Sequence, residues 1–127
     1  MTPPFHRGMF VYLSGPITAR EGRIVEDEEH VAAAAKVYFE CLRSGIVAFC
    51  PHLSGAFPSA FEIGYDVWIE YDYAIIDRCT HLLMLPGWKT SRGALLEHQY
   101  ALDTGKGIFE SLDDLHAYLH DVRTSRR

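Results

Sequence analysis

The chain has 127 residues, of which 48% are hydrophobic and 23% charged, a length and balance that suit one globular domain spanning 1–127 and exclude a disordered chain, a collagen-like rod or a coiled coil. A net charge of -5 supplies no concentrated basic face for gripping phosphates, so no nucleic-acid partner is expected, and Arg123, Arg126 and Arg127 read as a solvated tail. No apolar run approaches the roughly 18 residues of a membrane span, and Met9 to Leu13 is too short for the core of a secretion signal, so the reading is a cytoplasmic protein without a membrane partner.

Met9 to Ser14 is a short apolar and aromatic run stopped by Gly15-Pro16, which predicts a buried strand with an abrupt end. From Glu26 to Arg43, Val31, Ala34, Ala35, Tyr38 and Leu42 recur at the three-and-four spacing of an amphipathic helix. The acidic run Glu26 to Glu29 complements the positive end of that helix. Ile46 to Cys50, ended by Pro51, predicts a second strand, and a loop from His52 to Gly64 follows. A helix is expected over Tyr65 to Arg78, then a strand over Thr80 to Leu85 ended by Pro86-Gly87. Helices over Arg92 to Thr104 and Ser111 to Val122 flank a short strand near Gly107 to Phe109. Continuous apolar strands alternating with helices indicate an α/β fold: a flavodoxin-like or Rossmann-like three-layer sandwich around a parallel sheet of about four or five strands.

Ligands of open parallel sheets bind beyond the carboxyl ends of the strands, beside the switch in strand order. Ser14-Gly15-Pro16, Pro51-His52 and Pro86-Gly87-Trp88 are therefore expected to face one pocket. The loop Gly87 to Gly93 runs into a helix whose free N–H groups, with the Ser91 hydroxyl and Arg92, suit an anionic or hydroxyl-rich ligand. It is not a Walker loop, and no G-x-G-x-x-G occurs.

Asp72 is the stronger signal. At about 100° per residue it falls in the middle of the apolar face formed by Tyr65, Trp68, Ile69, Ile75, Ile76 and Cys79, while Asp66, Glu70 and Asp77 lie opposite. A carboxylate there costs several kcal/mol unless paired or hydrogen-bonded, which leaves two readings, a structural cap or ion pair and a functional group. Glu97 poses the same question on a face of small residues, Gly93, Ala94, Ala101 and Thr104, which leave room for a ligand or let the helix pack close to the sheet. Two carboxylates in one crevice with Tyr12 form a constellation used by glycosidic chemistry. His116 and His120, four apart, lack the glutamate and third ligand of a zinc site, so no metal is expected. Cys41, Cys50 and Cys79 have no CxxC spacing and read as buried reduced thiols.

Tyr12-Leu13-Ser14-Gly15-Pro16-Ile17, Trp68 with Tyr71-Asp72, Leu85-Pro86-Gly87-Trp88 and Ser91-Arg92-Gly93-Ala94 followed by Glu97 together resemble the nucleoside 2-deoxyribosyltransferase-like superfamily, across nearly the whole chain. Small uncharacterised phage and bacterial members look closest. The superfamily exchanges nucleobases or cuts the N-glycosidic bond of nucleoside 5'-monophosphates. The resemblance implies Glu97 as nucleophile, Asp72 as the group exchanging protons with the leaving base and Tyr12 as the residue positioning Glu97. It implies Ser91 and the Gly93 amide at the 5' end of the sugar, with Ser14, Gly15, Pro16, Ile17, Thr18, His52, Trp68, Gly87, Trp88 and Arg92 completing a substrate site. It further implies a small-molecule nucleoside or nucleotide partner, no cofactor, and a homodimer or higher homo-oligomer.

The chain departs from the superfamily at Pro16, where phosphate-preferring relatives carry a hydroxyl, and at Thr18, where they carry an arginine that Arg20, Arg23 or Arg92 would have to replace. Thr80 stands where an aspartate is common, and the chain contains no asparagine to donate to a neighbouring subunit's site. The alternatives are a catalytically weak nucleotide-binding module of the same fold and a nicotinamide-dinucleotide glycohydrolase.

Overall fold

A computed structural model describes residues 4–16, 18–20, 23–25, 28–56 and 63–125, with the backbone alone at 18–20, 23–25, 54–56 and 123–125. The strands are β1 (Phe10–Ser14), β2 (Thr18–Arg20), β3 (Arg23–Val25), β4 (Val47–Phe49), β5 (His81–Met84) and β6 (Gly107–Phe109). The helices are α1 (Glu28–Arg43), α2 (Tyr65–Arg78), α3 (Arg92–Asp103) and α4 (Leu112–Ser125).

Four strands form one parallel sheet in the order β4-β1-β5-β6. The chain steps outward from β1 to β4, then crosses back to β5 on the other side of β1, so the switch in strand order lies between β1 and β5. Right-handed crossovers place α1 on one face of the sheet and α2 and α3 on the other. The core divides accordingly. Val11, Leu13, Leu83 and Leu85 pack with Ala34 and Cys41 of α1 and Leu115 and Leu119 of α4. Tyr12, Leu82 and Met84 pack with Ile76 of α2 and Ala94 and Ala101 of α3. This is an α/β domain of flavodoxin-like, Rossmann-like type, as its sequence predicts, and among the described residues no helix is long and apolar enough to cross a membrane.

The antiparallel pair β2–β3, with Thr18 opposite Val25, was not expected. Each strand is three residues long, too short for a period-two hydrophobic pattern to register. The expected start of α1 at Glu26 and Asp27 lies outside the described residues, and Glu28 and Glu29 occupy its first turn. The expected loop after β4 begins with a 3₁₀ segment, Pro51–Ala56, and residues 57–62 lie outside the description. Thr80, the departure at the start of β5, takes up a structural role: its Oγ1 accepts from the Phe10 amide at 3.0 Å and donates to the Phe10 carbonyl at 3.2 Å, tying β5 to β1.

Candidate active site

The site grows from the alternation of β1. Val11 and Leu13 turn to the aliphatic face of the sheet, so Tyr12 and Ser14 must point to the other, where α3 covers them. Glu97 lies in the second turn of α3, and both hydroxyls reach it: Tyr12 Oη donates to Glu97 Oε2 at 2.6 Å, and Ser14 Oγ donates to Oε1 at 2.8 Å. Each carboxylate oxygen is thereby held by its own donor and the side chain is fixed in rotation. Ala94 and Ala101, buried on the same helix, let α3 approach the sheet closely enough for these bonds.

Asp72 enters from α2, where Ile76 is buried and Asp66, Glu70 and Asp77 are exposed, as the helical period requires. Asp72 is 5% exposed and Glu97 4%. Both line one narrow cleft with Gly15, Tyr65, Trp68, Ile69 and Gly93, and its volume of about 20 Å³ has room for about one water. Buried Oδ1 of Asp72 has no hydrogen-bond partner among the described residues. A buried polar atom left in this way costs free energy.

Burial raises the proton affinity of both acids, because the charged forms lose hydration. Glu97 is raised further by the neighbouring charge of Asp72, while the Tyr12 and Ser14 hydroxyls oppose the rise. Contacts with Glu97 and Tyr12 oppose it at Asp72. Two carboxylates this close in a dry setting do not both ionise easily, so the pair retains a proton well above the ordinary carboxylate range. The Tyr12 hydroxyl is pushed well above its usual range by burial and by the two acids, which keeps it a donor.

The other expected residues divide. Gly15 lines the cleft, and a Cβ there would stand 2.6 Å from Leu85 Cβ, so only glycine lets the end of β1 lie against the end of β5. Trp68 lines the cleft and meets Tyr71 edge-on, with ring centroids 5.9 Å apart. Ser91 caps α3, its Oγ accepting from the Ala94 amide at 3.3 Å, and Arg92 is exposed beside it. His52 is buried away from the cleft, and its Nε2 donates to the Pro16 carbonyl at 2.8 Å, bracing the turn after β1. Burial lowers the proton affinity of His52, in keeping with a neutral ring.

Gly87 and Trp88 do not join the carboxylates. They line a separate cavity with Leu85, Lys89 and Leu112, and Trp88 stacks on His98 at 4.6 Å. The strand ends thus feed two spaces rather than the single pocket expected, because the chain after β5 turns away through the 3₁₀ segment Trp88–Thr90. Ile17 lies outside the described residues, and the side chains of Thr18, Arg20 and Arg23 are likewise outside them.

Tyr65 and Ile69 are cleft residues that sequence reasoning did not single out. Their signal was present: they share the face of Asp72 at seven and three residues before it, and an aromatic or aliphatic residue there reads as core. Among the described residues no group of three His, Cys, Asp or Glu could hold a metal ion. Cys41, Cys50 and Cys79 are free and buried, with burial the main cause pushing each thiol up to about 11.

Fold and site together define an α/β domain with a buried carboxylate pair at its topological switch point. The chain belongs to the family described as a domain of unknown function, DUF4406, whose model matches residues 9–110, from the start of β1 through β6 and so across the whole site. No curated protein and no solved structure matches the chain.

Proposed function

We propose that this protein cleaves the N-glycosidic bond of a nucleoside or nucleoside 5'-monophosphate through Glu97, by hydrolysis or by transfer to another base. The observation that carries this reading is the buried pair itself: one carboxylate oriented at both oxygens by hydroxyl donors, facing a second whose Oδ1 is buried without a hydrogen-bond partner among the described residues. The resemblance of the motifs around Tyr12, Asp72 and Glu97 to the nucleoside 2-deoxyribosyltransferase-like superfamily supports it.

In this mechanism Glu97 reacts ionised and Asp72 protonated. The Tyr12 and Ser14 hydroxyls favour the charge on Glu97, and an unpartnered Oδ1 costs less on a neutral Asp72 than on a charged one. A Glu97 oxygen bonds to the anomeric carbon as the carbon–nitrogen bond breaks, and the leaving base takes the bond's electron pair and the Asp72 proton. Asp72 then accepts a proton from the incoming water or base, which displaces Glu97 and frees it as carboxylate. The elements carry these groups on a strand and two helices, which holds their geometry more firmly than loops would.

The test is chromatography of ribo- and deoxynucleosides and their 5'-monophosphates incubated with the protein, with and without an acceptor base. Free base is the expected product. Release that needs an acceptor identifies a transferase, and release without one a hydrolase. No release from any member of the panel by folded protein contradicts the proposal.

A further inference from the structure

Between α1 and α4, beyond the carboxyl ends of β5 and β6, lies a cavity of about 400 Å³. The carboxylate cleft measures about 20 Å³ and shares no wall residue with it. The larger space admits an organic molecule without rearrangement. Its inner walls follow from the strand pattern: Leu83 and Leu85 turn to the α1 side of the sheet, and Val37 of α1, Pro86 and Leu112 of α4 complete an apolar lining. Walls of this kind forfeit dispersion contacts while the space between them lacks carbon, and an apolar group of matching size restores those contacts.

Two charges of opposite sign line the same cavity. Lys89 comes from the turn after β5 and Glu110 directly follows β6, and both are exposed. Among the described residues no ion pair joins them, and Lys89 Nζ stands instead 5.7 Å from the centre of the Trp88 ring. Ser111, beside Glu110 in the chain, accepts from the Asp114 amide at 3.1 Å and keeps its hydroxyl proton to donate. An apolar chamber with an ammonium and a carboxylate that do not neutralise each other is complementary to a molecule carrying both charges and an apolar tail.

We propose that this cavity is a binding site for a free α-amino acid with an apolar or aromatic side chain. The side chain lies among Val37, Leu83, Leu85 and Leu112, the carboxylate meets Lys89 and the Ser111 hydroxyl, and the α-ammonium meets Glu110. The site is independent of the glycosidic reading, because none of its residues belongs to the carboxylate cleft. Trp88 forms part of its wall, so the indole reports occupancy.

The experiment is calorimetric titration of the whole chain with L-phenylalanine and L-leucine, with tryptophan fluorescence followed in parallel. Three further probes each lack one feature: 3-phenylpropionate the ammonium, 2-phenylethylamine the carboxylate and L-serine the apolar tail. Both apolar amino acids are expected to bind, each of the three further probes at least about tenfold more weakly than L-phenylalanine, and the fluorescence change to vanish in Trp88→Phe. Lys89→Gln and Glu110→Gln exchange exposed side chains, so circular dichroism should stay unchanged while each weakens L-phenylalanine by at least about tenfold. Absence of binding by both amino acids at millimolar concentration overturns the proposal. So does binding of either single-charge probe as tightly as L-phenylalanine, or affinity unmoved in both charge variants. Absence of binding together with a dimer in sedimentation that Leu112→Asp dissociates would assign the cavity to a second copy of the chain instead.

Discussion

The two faces of the sheet are built for different purposes, and β1 belongs to both. On the side of α1 and α4, Val11, Leu13, Leu83 and Leu85 are covered by Ala34, Cys41, Leu115 and Leu119 in an aliphatic core. On the side of α2 and α3 the same strand offers Tyr12 and Ser14 to Glu97, with Asp72 beside them. One face lowers the free energy of folding by burying carbon. The other buries two acids, which raises it except as far as hydrogen bonds and retained protons offset the cost. Stability and activity are therefore expected to separate by face, and substitutions on each side test that separation.

The largest effect is expected from Glu97→Ala, which should cut base release by at least about a thousandfold in steady-state assays while circular dichroism stays unchanged. Leu83→Ala on the opposite face should do the reverse. Urea unfolding should record a loss of about 2–5 kcal/mol, with kcat per folded molecule retained. If Leu83→Ala also removed activity from the folded fraction, the faces would not be separable in this way.

Asp72→Asn keeps the shape of the carboxyl and removes its proton exchange, so kcat should fall by about a hundredfold, most for bases that leave poorly without a proton. The same substitution bears on pH. Asp72 and Glu97 hold their protons more tightly folded than unfolded, so the stability they contribute is fully present below the unfolded carboxyl range of about 4. It is lost as pH rises from there through their raised folded values. Thermal melts of wild type should show this decline, and Asp72→Asn should flatten it. Tyr12→Phe should have the smallest effect, about a tenfold loss of kcat, because Ser14 still holds the other oxygen of Glu97.

The layers of the fold were legible because β1, β4 and β5 lie within continuous apolar runs and the helices carry clear three-and-four patterns. Asp72 was legible for the complementary reason, a charge standing where the helical period demands carbon. The bond from Tyr12 to Glu97 spans 85 residues, and no local pattern encodes a partner at that separation. The resemblance brought the two together, and the geometry now accounts for the contact. Tyr65 escaped because a tyrosine on an apolar helix face looks like core, and only the folded chain brings its Oη over the bare Gly93. The division of Gly87 and Trp88 from the carboxylates depends on the turn after β5, through left-handed Gly87 and the 3₁₀ segment Trp88–Thr90, and not on the strand pattern.

The most direct test sets wild type beside Glu97→Gln, which keeps the shape of the side chain and removes its charge, and follows base release from the nucleoside panel by chromatography. The account predicts free base from wild type, at least about a thousandfold less from Glu97→Gln, and a melting temperature no lower in the variant, since a buried acid has been replaced by a neutral amide. Base release by Glu97→Gln at the wild-type rate would contradict it.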